Sequence, residues 1–192
     1  MTGRWSDKKY NIKQKILTIG GLKYWIYNSS GALVGYAHKK AFKLKDEIII
    51  YADENRTKPV LGIKQENILD FTAVFRVFDP NTNEIIGYFG RKYWKSMLKD
   101  TWKIFDQNKR EIGVVEENTA RALLRRMVTK MVPKEYQIKL GNKPVGRYKQ
   151  KFKMIGDEWF LDFTEDMGNH LDPRLGVAGA IIMATVERFQ GS

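Results

Sequence analysis

Cations placed beside aromatic rings are the residues of this sequence best suited to chemistry with a ligand. The stretch 91–99 interleaves arginine and lysine with Tyr93 and Trp94, and a series of cations recurs through 121–134. Guanidinium and ammonium groups pair with phosphate oxygens, and aromatic rings favour membrane interfaces. We therefore predict a surface that binds the phosphorylated head groups of anionic lipid, although the same cations also suit a solvated surface without a ligand. The predicted residues are Arg91, Lys92, Lys95, Lys99, Arg121, Arg125, Arg126 and Lys130.

The net charge of the chain also indicates an anionic partner. The 34 lysine and arginine residues outnumber the 22 aspartate and glutamate residues, which gives a net charge of +12. A field of this sign attracts anionic membranes and nucleic acids alike. Because cations and aromatic rings together bind single-stranded nucleic acid, nucleic-acid binding is the main alternative function. A third interpretation is that the cations are spread over solvated faces, since they are dispersed along the chain.

The sequence lacks the residue patterns of a catalytic or metal-binding site. There is no cysteine, which excludes disulfides, thiolate catalysis and cysteine-ligated zinc. The two histidines, His38 and His170, are isolated, and no serine lies in a nucleophile-elbow motif. No glycine-rich phosphate loop occurs. We therefore predict a protein that is not an enzyme and that holds no cofactor or metal.

No stretch of the chain predicts targeting or insertion into a membrane. The N-terminal residues 1–15 alternate charged and aromatic side chains and lack the apolar core of a signal peptide. No segment reaches the roughly 20 apolar residues that a spanning helix needs. Together with the lack of cysteine, these features predict a cytoplasmic protein, peripheral at the inner membrane surface if it binds lipid. The sequence leaves the oligomeric state open.

A recurring unit organises most of the sequence. An aliphatic residue followed by glycine appears at near-regular intervals, each time after an apolar stretch and a polar turn. Such a repeat indicates one supersecondary unit stacked on copies of itself, and here the unit has the pattern of a β-hairpin. With an opening strand and a last strand at Trp159–Thr164, about twelve strands are predicted. The five aliphatic residues of the repeat are Val34, Leu61, Ile86, Ile112 and Val145.

Two segments carry helical rather than strand patterns. Apolar residues recur at three- and four-residue steps from Asn118 to Val132, which predicts an amphipathic helix that ends before Pro133. The segment Asp172–Phe189 begins with an aspartate cap and a proline at the first helical position. Its uncharged run, Leu175–Val186, points apolar groups in nearly all directions, so this second helix must be buried on every side.

The strands and the apolar helix predict one arrangement together. Barrels of about eight strands are filled by their own side chains, whereas barrels of about eleven or twelve strands leave room for a central helix. The predicted fold is therefore mainly β: a closed antiparallel barrel of roughly twelve strands around a central C-terminal helix. The amphipathic helix lies outside the barrel, and residues 1–192 form one domain. The competing arrangement is a sandwich with the helix laid across an open end.

Three stretches of the chain carry a family resemblance: Ile12–Ile19, Tyr93–Asp106 and Leu171–Glu187. They resemble the tubby-like superfamily, specifically its LURP-one-related and phospholipid scramblase-like members. The resemblance implies a twelve-stranded barrel around a central C-terminal helix, in agreement with the arrangement argued from the residues. It also implies a non-catalytic binding module, for anionic phospholipid head groups or for a membrane-associated partner. Tubby-type members bind phosphoinositide head groups through basic residues on the barrel, and scramblase-type members are associated with lipid movement between leaflets.

Two further properties of the scramblase-like members are alternatives for this chain. Scrambling itself is one, but the chain has no cysteine for acylation, and its terminal helix is too short and too rich in glycine to resemble a membrane anchor.

Calcium binding is the other, since scramblase relatives have been suggested to hold calcium near the last helix. Carboxylates suit calcium, but their spacing here does not match an EF-hand loop, and we predict no metal. The carboxylates concerned are Asp162, Glu165, Asp166 and Asp172.

Overall fold

The computed structural model of the protein describes residues 3–16, 21–39, 47–66, 73–91, 101–118, 133–152 and 156–190. These residues form twelve β-strands and one α-helix. The amphipathic helix predicted at 118–132 falls, apart from Asn118, outside the described residues. The elements are β1 (Lys9–Ile16), β2 (Leu22–Asn28), β3 (Leu33–Lys39), β4 (Ile48–Tyr51), β5 (Pro59–Glu66), β6 (Ala73–Phe78), β7 (Ile85–Arg91), β8 (Thr101–Phe105), β9 (Glu111–Glu117), β10 (Glu135–Leu140), β11 (Lys143–Phe152), β12 (Asp157–Asp162) and α1 (Pro173–Gln190).

The strands form a closed antiparallel barrel in which each strand pairs with its neighbours in the sequence. The ring closes where β1 pairs with β12 as well as with β2. Ile12 of β1, for example, lies opposite Ile26 on one side and Trp159 on the other. Closure removes the free edges of the sheet. The predicted fold class is confirmed, and the alternative of a sandwich is wrong.

The last strand ends two residues earlier than the predicted Trp159–Thr164. The backbone N–H of Thr164 donates to Asp162 Oδ1 at 3.0 Å, and the hydroxyl of Thr164 donates to the same oxygen at 2.6 Å. A side chain that bonds the nearby backbone in this way competes with strand pairing. The chain therefore leaves the sheet after Asp162, although the next residue, Phe163, remains buried.

The aliphatic-glycine repeat coincides with a register shift in each of five hairpins. On β8 and β9, Ile104 lies opposite Gly113. The next residue of β8 lies opposite Glu111, so Ile112 is an extra residue of β9. The aliphatic residue of the repeat is likewise the extra residue in the β2–β3, β6–β7 and β10–β11 pairs. In the β4–β5 pair the extra residue is Val60, one position before the Leu61 of the repeat. Because a bulge bends its strand and increases the local twist, the repeat supplies the curvature that lets the sheet close.

The helix α1 runs through the lumen of the barrel, and its residues from Leu175 to Val186 are all buried. Ile181, near its middle, is 0% exposed. Two glycines let aromatic rings of the wall approach the helix. A Cβ atom at Gly176 would lie 2.6 Å from Cζ of Phe163, and one at Gly179 would overlap the ring of Phe89. The prediction of a dry central helix is confirmed.

Polar contacts fix the position of α1 along the barrel axis. Its first turn is capped as predicted, because the backbone N–H of Arg174 donates to Asp172 Oδ1 at 2.8 Å. Near the start of the helix, the hydroxyl of Tyr148 donates to the carbonyl oxygen of Gly176 at 2.6 Å. Burial raises the pKa of Tyr148, which keeps this donor protonated.

A second tyrosine holds α1 near its other end. The hydroxyl of Tyr24 lies 2.8 Å from Oγ1 of Thr185 and accepts a hydrogen bond from Gln14 Nε2 at 3.2 Å. Burial raises the pKa of Tyr24 as well, so this hydroxyl also stays neutral. The helix and the wall therefore share buried polar partners at both ends of the lumen, and a shift of the helix along its axis would leave those partners unpaired.

Candidate functional site

Positive charge is concentrated on four neighbouring strands, β11, β12, β1 and β2, where the barrel closes. β11 contributes four cations, β1 three and β2 one, against three carboxylates that all lie on β12. Buried and exposed residues alternate along β1 and, from Arg147 to Lys151, along β11, which places the cations of these stretches on the outer wall. The register shift at Val145 takes Lys143 out of this alternation. We call this part of the outer wall the basic face. Its members are Lys9, Lys13, Lys15, Lys23, Arg147, Lys149, Lys151 and Phe160.

An exposed aromatic ring occupies the centre of the basic face. Phe160 is 42% exposed and lies opposite Lys149 of β11 and Asn11 of β1. Diagonal neighbours in a sheet lie about 7–8 Å apart, a distance that long side chains span. All four outward diagonal neighbours of the ring are cations. They are Arg147 and Lys151 on β11 and Lys9 and Lys13 on β1.

At the end of the basic face nearest the start of α1, carboxylates balance the positive charge. Three cations at this end or near the centre are engaged in ion pairs on the outer surface. Exposed pairs of this kind contribute little to stability, but they reduce the positive potential around them. This end is therefore close to neutral. The pairs are Lys9 with Asp162, Arg147 with Glu165, and Lys149 with Glu135.

At the opposite end of the basic face, the positive charge is not balanced in this way. No carboxylate of the described residues lies within ion-pair distance of Lys15, Lys23 or Lys151. The ammonium group of Lys13 lies 4.8 Å from the centroid of the Tyr27 ring, a cation–π contact that leaves its charge in place. Four cations at one end of the face are thus available to an anionic partner.

One carboxylate lies between two of these cations but is largely covered. Glu158 is opposite Lys13 on one side and Lys151 on the other. It is only 6% exposed and accepts a hydrogen bond from Asn11 Nδ2 at 3.0 Å. The two lysines beside it are exposed. An approaching anion therefore meets the ammonium groups before the carboxylate.

Of the anion-binding residues predicted from the sequence, Arg91 is among the described residues, and it lies away from the basic face. Arg91 ends β7, and its guanidinium carbon lies 5.3 Å from the centroid of the Trp102 ring on β8. β7 is across the ring of strands from β1, so Arg91 does not belong to the basic face. The other predicted residues lie outside the described residues, and their role stays a prediction. They are Lys92, Lys95, Lys99, Arg121, Arg125, Arg126 and Lys130.

Sequence reasoning missed the basic face because its members come from opposite ends of the chain. Period-two alternation does place Lys13 and Lys15 on the outward side of the first strand, and it separates Phe160 from its buried neighbours. It carries no information about which strands meet when the barrel closes. The site could have been predicted by treating the first and last strands as neighbours in the closed barrel and comparing the cations that each strand directs outward.

The carboxylates near the start of α1 bind neighbouring protein groups. Within the described residues, no three acidic or histidine side chains converge on a point where a metal would bind. Asp172 is an example of their local roles, since it caps α1 and accepts hydrogen bonds from the guanidinium group of Arg174. The partners are Lys9 for Asp162, Arg147 for Glu165, His170 and Leu171 for Asp166, and Arg174 for Asp172.

Asp166 holds the turn that leads the chain from β12 into the lumen. Its Oδ1 accepts from the backbone N–H of His170 at 3.0 Å and lies 2.9 Å from His170 Nδ1, and its Oδ2 accepts from the backbone N–H of Leu171 at 2.8 Å. Burial alone would raise the pKa of Asp166. The hydrogen bonds from Leu171 and His170 and the charge of Lys8 outweigh that effect, so the pKa lies below its usual range.

Replacing Asp166 by asparagine is expected to lower the free energy of unfolding at neutral pH by about 1–3 kcal/mol, the usual cost of losing hydrogen bonds to a charged group. A lowered pKa means that the ionised carboxylate stabilises the fold above its ordinary pKa of about 4, and that this stabilisation disappears as the pH falls through the lower pKa of the folded state. Urea unfolding at a series of acidic pH values measures both effects. The difference between Asp166→Asn and the wild type should shrink as the pH falls; a difference that is constant with pH contradicts the assignment.

A cleft of about 510 Å³ opens near the start of α1, at the end of the barrel away from the unbalanced cations. Its wall includes Glu84 and Gln107 from two hairpin turns, the cap residue Asp172, and Arg174 in the first turn of α1. The guanidinium group of Arg174 is bound to Asp172, with Nη2 and Oδ2 2.7 Å apart. The charged groups of the cleft are two carboxylates and one guanidinium, which leaves a negative balance, so the basic face remains the better candidate for an anionic ligand.

Comparison with known proteins supports the fold and the family. An X-ray structure of a protein from Arabidopsis thaliana is similar to this structure with a TM-score of 0.51, at 12% sequence identity. The similarity covers 96% of this chain and 95% of that one. At this identity the likeness concerns the fold alone. A comparison with curated proteins found no match. Among the described residues, no helix combines the length and the hydropathy needed to cross a membrane.

The family follows from the sequence itself. The profile of one family, described as LURP-one-related, matches residues 33–184. The match includes all five copies of the aliphatic-glycine repeat and most of α1. It agrees with the resemblance carried by the stretches that lead into β8 and through α1. Because the profile covers most of the chain, the protein belongs to the LURP-one-related family.

Proposed function

We propose that this protein is a non-catalytic module that binds the surface of anionic phospholipid membranes through its basic face. The observation that carries the proposal is the group of four cations, Lys13, Lys15, Lys23 and Lys151, that have no carboxylate partner among the described residues. Each lysine or arginine near an anionic leaflet contributes about 1 kcal/mol of attraction at moderate salt. Four such residues on one wall suffice for weak, reversible binding at the membrane surface.

The shape of the basic face also suits a surface rather than a small ligand. The residues lie on the outer wall of a barrel, and the lumen behind them is filled by α1. Small-molecule sites are concave and enclose most of their ligand. A convex wall with spaced ammonium groups instead contacts several phosphate groups at once. The proposed location is the cytoplasmic side of a membrane, where anionic lipids are enriched.

Charge reversal on the basic face tests the proposal. The variant Lys13→Glu/Lys15→Glu/Lys151→Glu is expected to lose at least about tenfold in partitioning onto vesicles of phosphatidylcholine and phosphatidylserine, because attraction is replaced by repulsion at three positions. Co-sedimentation at low and high salt measures the partitioning. The wild type should bind anionic vesicles, bind neutral ones weakly, and lose affinity as salt is added.

A matched control separates the position of the charges from their total. The variant Lys58→Glu/Lys64→Glu/Arg110→Glu changes the net charge by the same amount at exposed positions outside the basic face. It should retain most of the binding. Equal losses in the two variants would mean that only the overall charge matters. Equal partitioning of the wild type onto neutral and anionic vesicles would contradict the proposed function altogether.

Nucleic-acid binding is the second candidate, and one observation favours it. Trp25 and Tyr36 lie beside the basic face with ring centroids 5.6 Å apart, and bases stack on such rings in single-stranded complexes. Tyr36 is only 4% exposed, however, so little of its ring is open to a base. A salt-sensitive gel shift with single-stranded RNA or DNA, abolished by Trp25→Ala, would support this alternative.

A further inference from the structure

We propose that the membrane-bound protein inserts two aromatic side chains, Phe160 and Phe152, into the head-group region and lies with the end of α1 closer to the bilayer than its start. The inference rests on the proposed function and adds a binding geometry to it. It names which end of the basic face touches the lipid, which residues penetrate, and which hairpins stay in solution.

The first step is the position of the exposed apolar side chains. Among the described residues, the large hydrophobic side chains that are exposed are Phe152 at 39%, Phe160 at 42% and Met167 at 92%. The two phenylalanines lie on the adjoining strands β11 and β12, whereas Met167 lies in the turn before α1. Solvated lysines alone would explain a soluble surface. An exposed aromatic ring among lysines instead suits a surface that binds both charged head groups and the apolar layer beneath them.

The second step is the immediate surroundings of each ring. Phe160 is framed on the diagonals by cations of β11 and β1. Phe152 is the last residue of β11, at the rim of the barrel where α1 ends, and strand alternation turns its ring to the other side of the sheet from Lys151. A ring framed by ammonium groups, as that of Phe160 is, can enter the boundary between head groups and acyl chains while the ammonium groups remain at the level of the phosphates. The ring of Phe152 reaches the same layer because it lies at the rim of the barrel that is tilted toward the bilayer. A soluble polyanion offers no apolar layer for the rings.

The third step is the direction of the charge imbalance along the barrel. β12 ends at Asp162, after which the chain turns into the lumen to start α1, so the Asp162 end of the basic face lies beside the start of α1. The basic-face cations at that end, Lys9 and Arg147, are paired with carboxylates. The unbalanced cations lie toward the other end, where Thr185 of α1 meets Tyr24. The bilayer therefore attracts the end of the barrel at which α1 ends.

The fourth step is the arrangement of the hairpin turns. The turns between β2 and β3, β6 and β7, and β8 and β9 lie at the same end as the start of α1, as does the cleft near Arg174. In the proposed orientation these turns point away from the lipid. Met167, in the turn that precedes α1, is at this end and serves as a position that should remain in water.

The lack of cysteine in the chain makes a direct test possible. A single cysteine at position 160, 152 or 167 is labelled with the fluorophore NBD, whose emission moves to the blue in an apolar environment. The proteins with Phe160→Cys and Phe152→Cys should show a blue shift with phosphatidylserine-containing vesicles and quenching by lipids that carry a shallow nitroxide. The protein with Met167→Cys should show neither. Sedimentation in the same samples reports binding.

The possible outcomes separate the inference from the proposed function. If the unlabelled wild type does not sediment with anionic vesicles, the proposed function fails and the geometry fails with it. If it sediments but the labels at 160 and 152 show no shift, the insertion is wrong while lipid binding stands. A blue shift at 167 overturns the orientation. A shift at 160 that depends on protein concentration without vesicles assigns the face to self-association and overturns the proposal.

A second measurement avoids the fluorophore. The variant Phe152→Ser/Phe160→Ser should bind anionic vesicles severalfold more weakly than the wild type, and the difference should persist at high salt, where electrostatic attraction is screened. The variant Phe152→Leu/Phe160→Leu should restore most of the binding. Urea unfolding checks that both variants keep the fold, as expected for exposed positions. Unchanged binding by the serine variant overturns the inserted geometry.

Discussion

Replacement of Ile181 by aspartate is expected to leave the protein without a cooperative unfolding transition. The side chain is fully buried on α1, inside the closed wall of the barrel. An unpaired carboxylate enclosed by apolar groups costs several kcal/mol, either as a buried charge or through forced protonation. The whole free energy of unfolding of a domain is only about 5–15 kcal/mol. Urea unfolding followed by circular dichroism and tryptophan fluorescence measures the loss.

Two controls test whether the effect arises from the burial of α1 inside the barrel. Ile181→Val removes one methylene group and is expected to cost about 1 kcal/mol. Phe160→Asp introduces the same charge on the outer wall, where water solvates it, and should cost about 1 kcal/mol or less. If Ile181→Asp unfolds at nearly the urea concentration of the wild type, water reaches α1 and the closed, dry arrangement is incorrect.

Replacement of Gly113 by alanine is expected to lower the free energy of unfolding by about 3 kcal/mol, at the upper end of the usual cost of overpacking. A Cβ atom at this position would overlap the backbone carbonyl oxygen of Lys139 on β10. The obstacle is main chain rather than the tip of a flexible side chain, so it yields only if β9 and β10 move apart. Because the barrel is closed, that separation disturbs the register of the whole ring.

A glycine in open space provides the control for this prediction. No atom lies within 4 Å of a Cβ atom built at Gly3, so Gly3→Ala should change the free energy of unfolding by no more than about 0.5 kcal/mol. Gly87→Ala should resemble Gly113→Ala, since a Cβ atom there would lie 2.6 Å from the carbonyl oxygen of Phe105. Near-wild-type stability of both buried variants would show that the bulges do not require glycine.

The hairpin pattern was readable from local sequence because each hairpin is a local structure. Polar turns, alternating apolar residues and the aliphatic-glycine repeat all lie within one hairpin, so the predicted hairpins and the predicted number of strands agree with the structure. The reason for the glycine was not readable. The backbone of Lys139, in the next hairpin, leaves no space for a side chain at position 113. A pattern within one hairpin carries no information about contacts with the next.

The candidate site, unlike the hairpins, could not be predicted from local sequence. A cluster of cations in one stretch of sequence attracts notice, as at Arg91 and its neighbours, but its members need not share a surface. The cations of the basic face are separated by more than half of the chain, and only the pairing of β1 with β12 brings Lys13 beside Glu158 and near Lys151. Strand register likewise places Asp162 beside Lys9 and Glu135 beside Lys149, whereas Glu165, the partner of Arg147, lies in the turn after β12.

The sequence alone determined the class of fold, the number of strands, the position of the buried helix and the family. These properties depend on the periodicity of apolar residues, on composition and on helix-capping residues, all of which are local features of the sequence. A helix with no polar stripe has to be buried on every side. Strands that each have one apolar face have to cover a core. Tertiary structure alone decided which cations meet, which of them carry a balancing carboxylate and where an exposed ring lies among them. Those properties depend on the distances between strands that are far apart in the sequence. Coulomb attraction and packing vary with distance in space and not with separation along the chain.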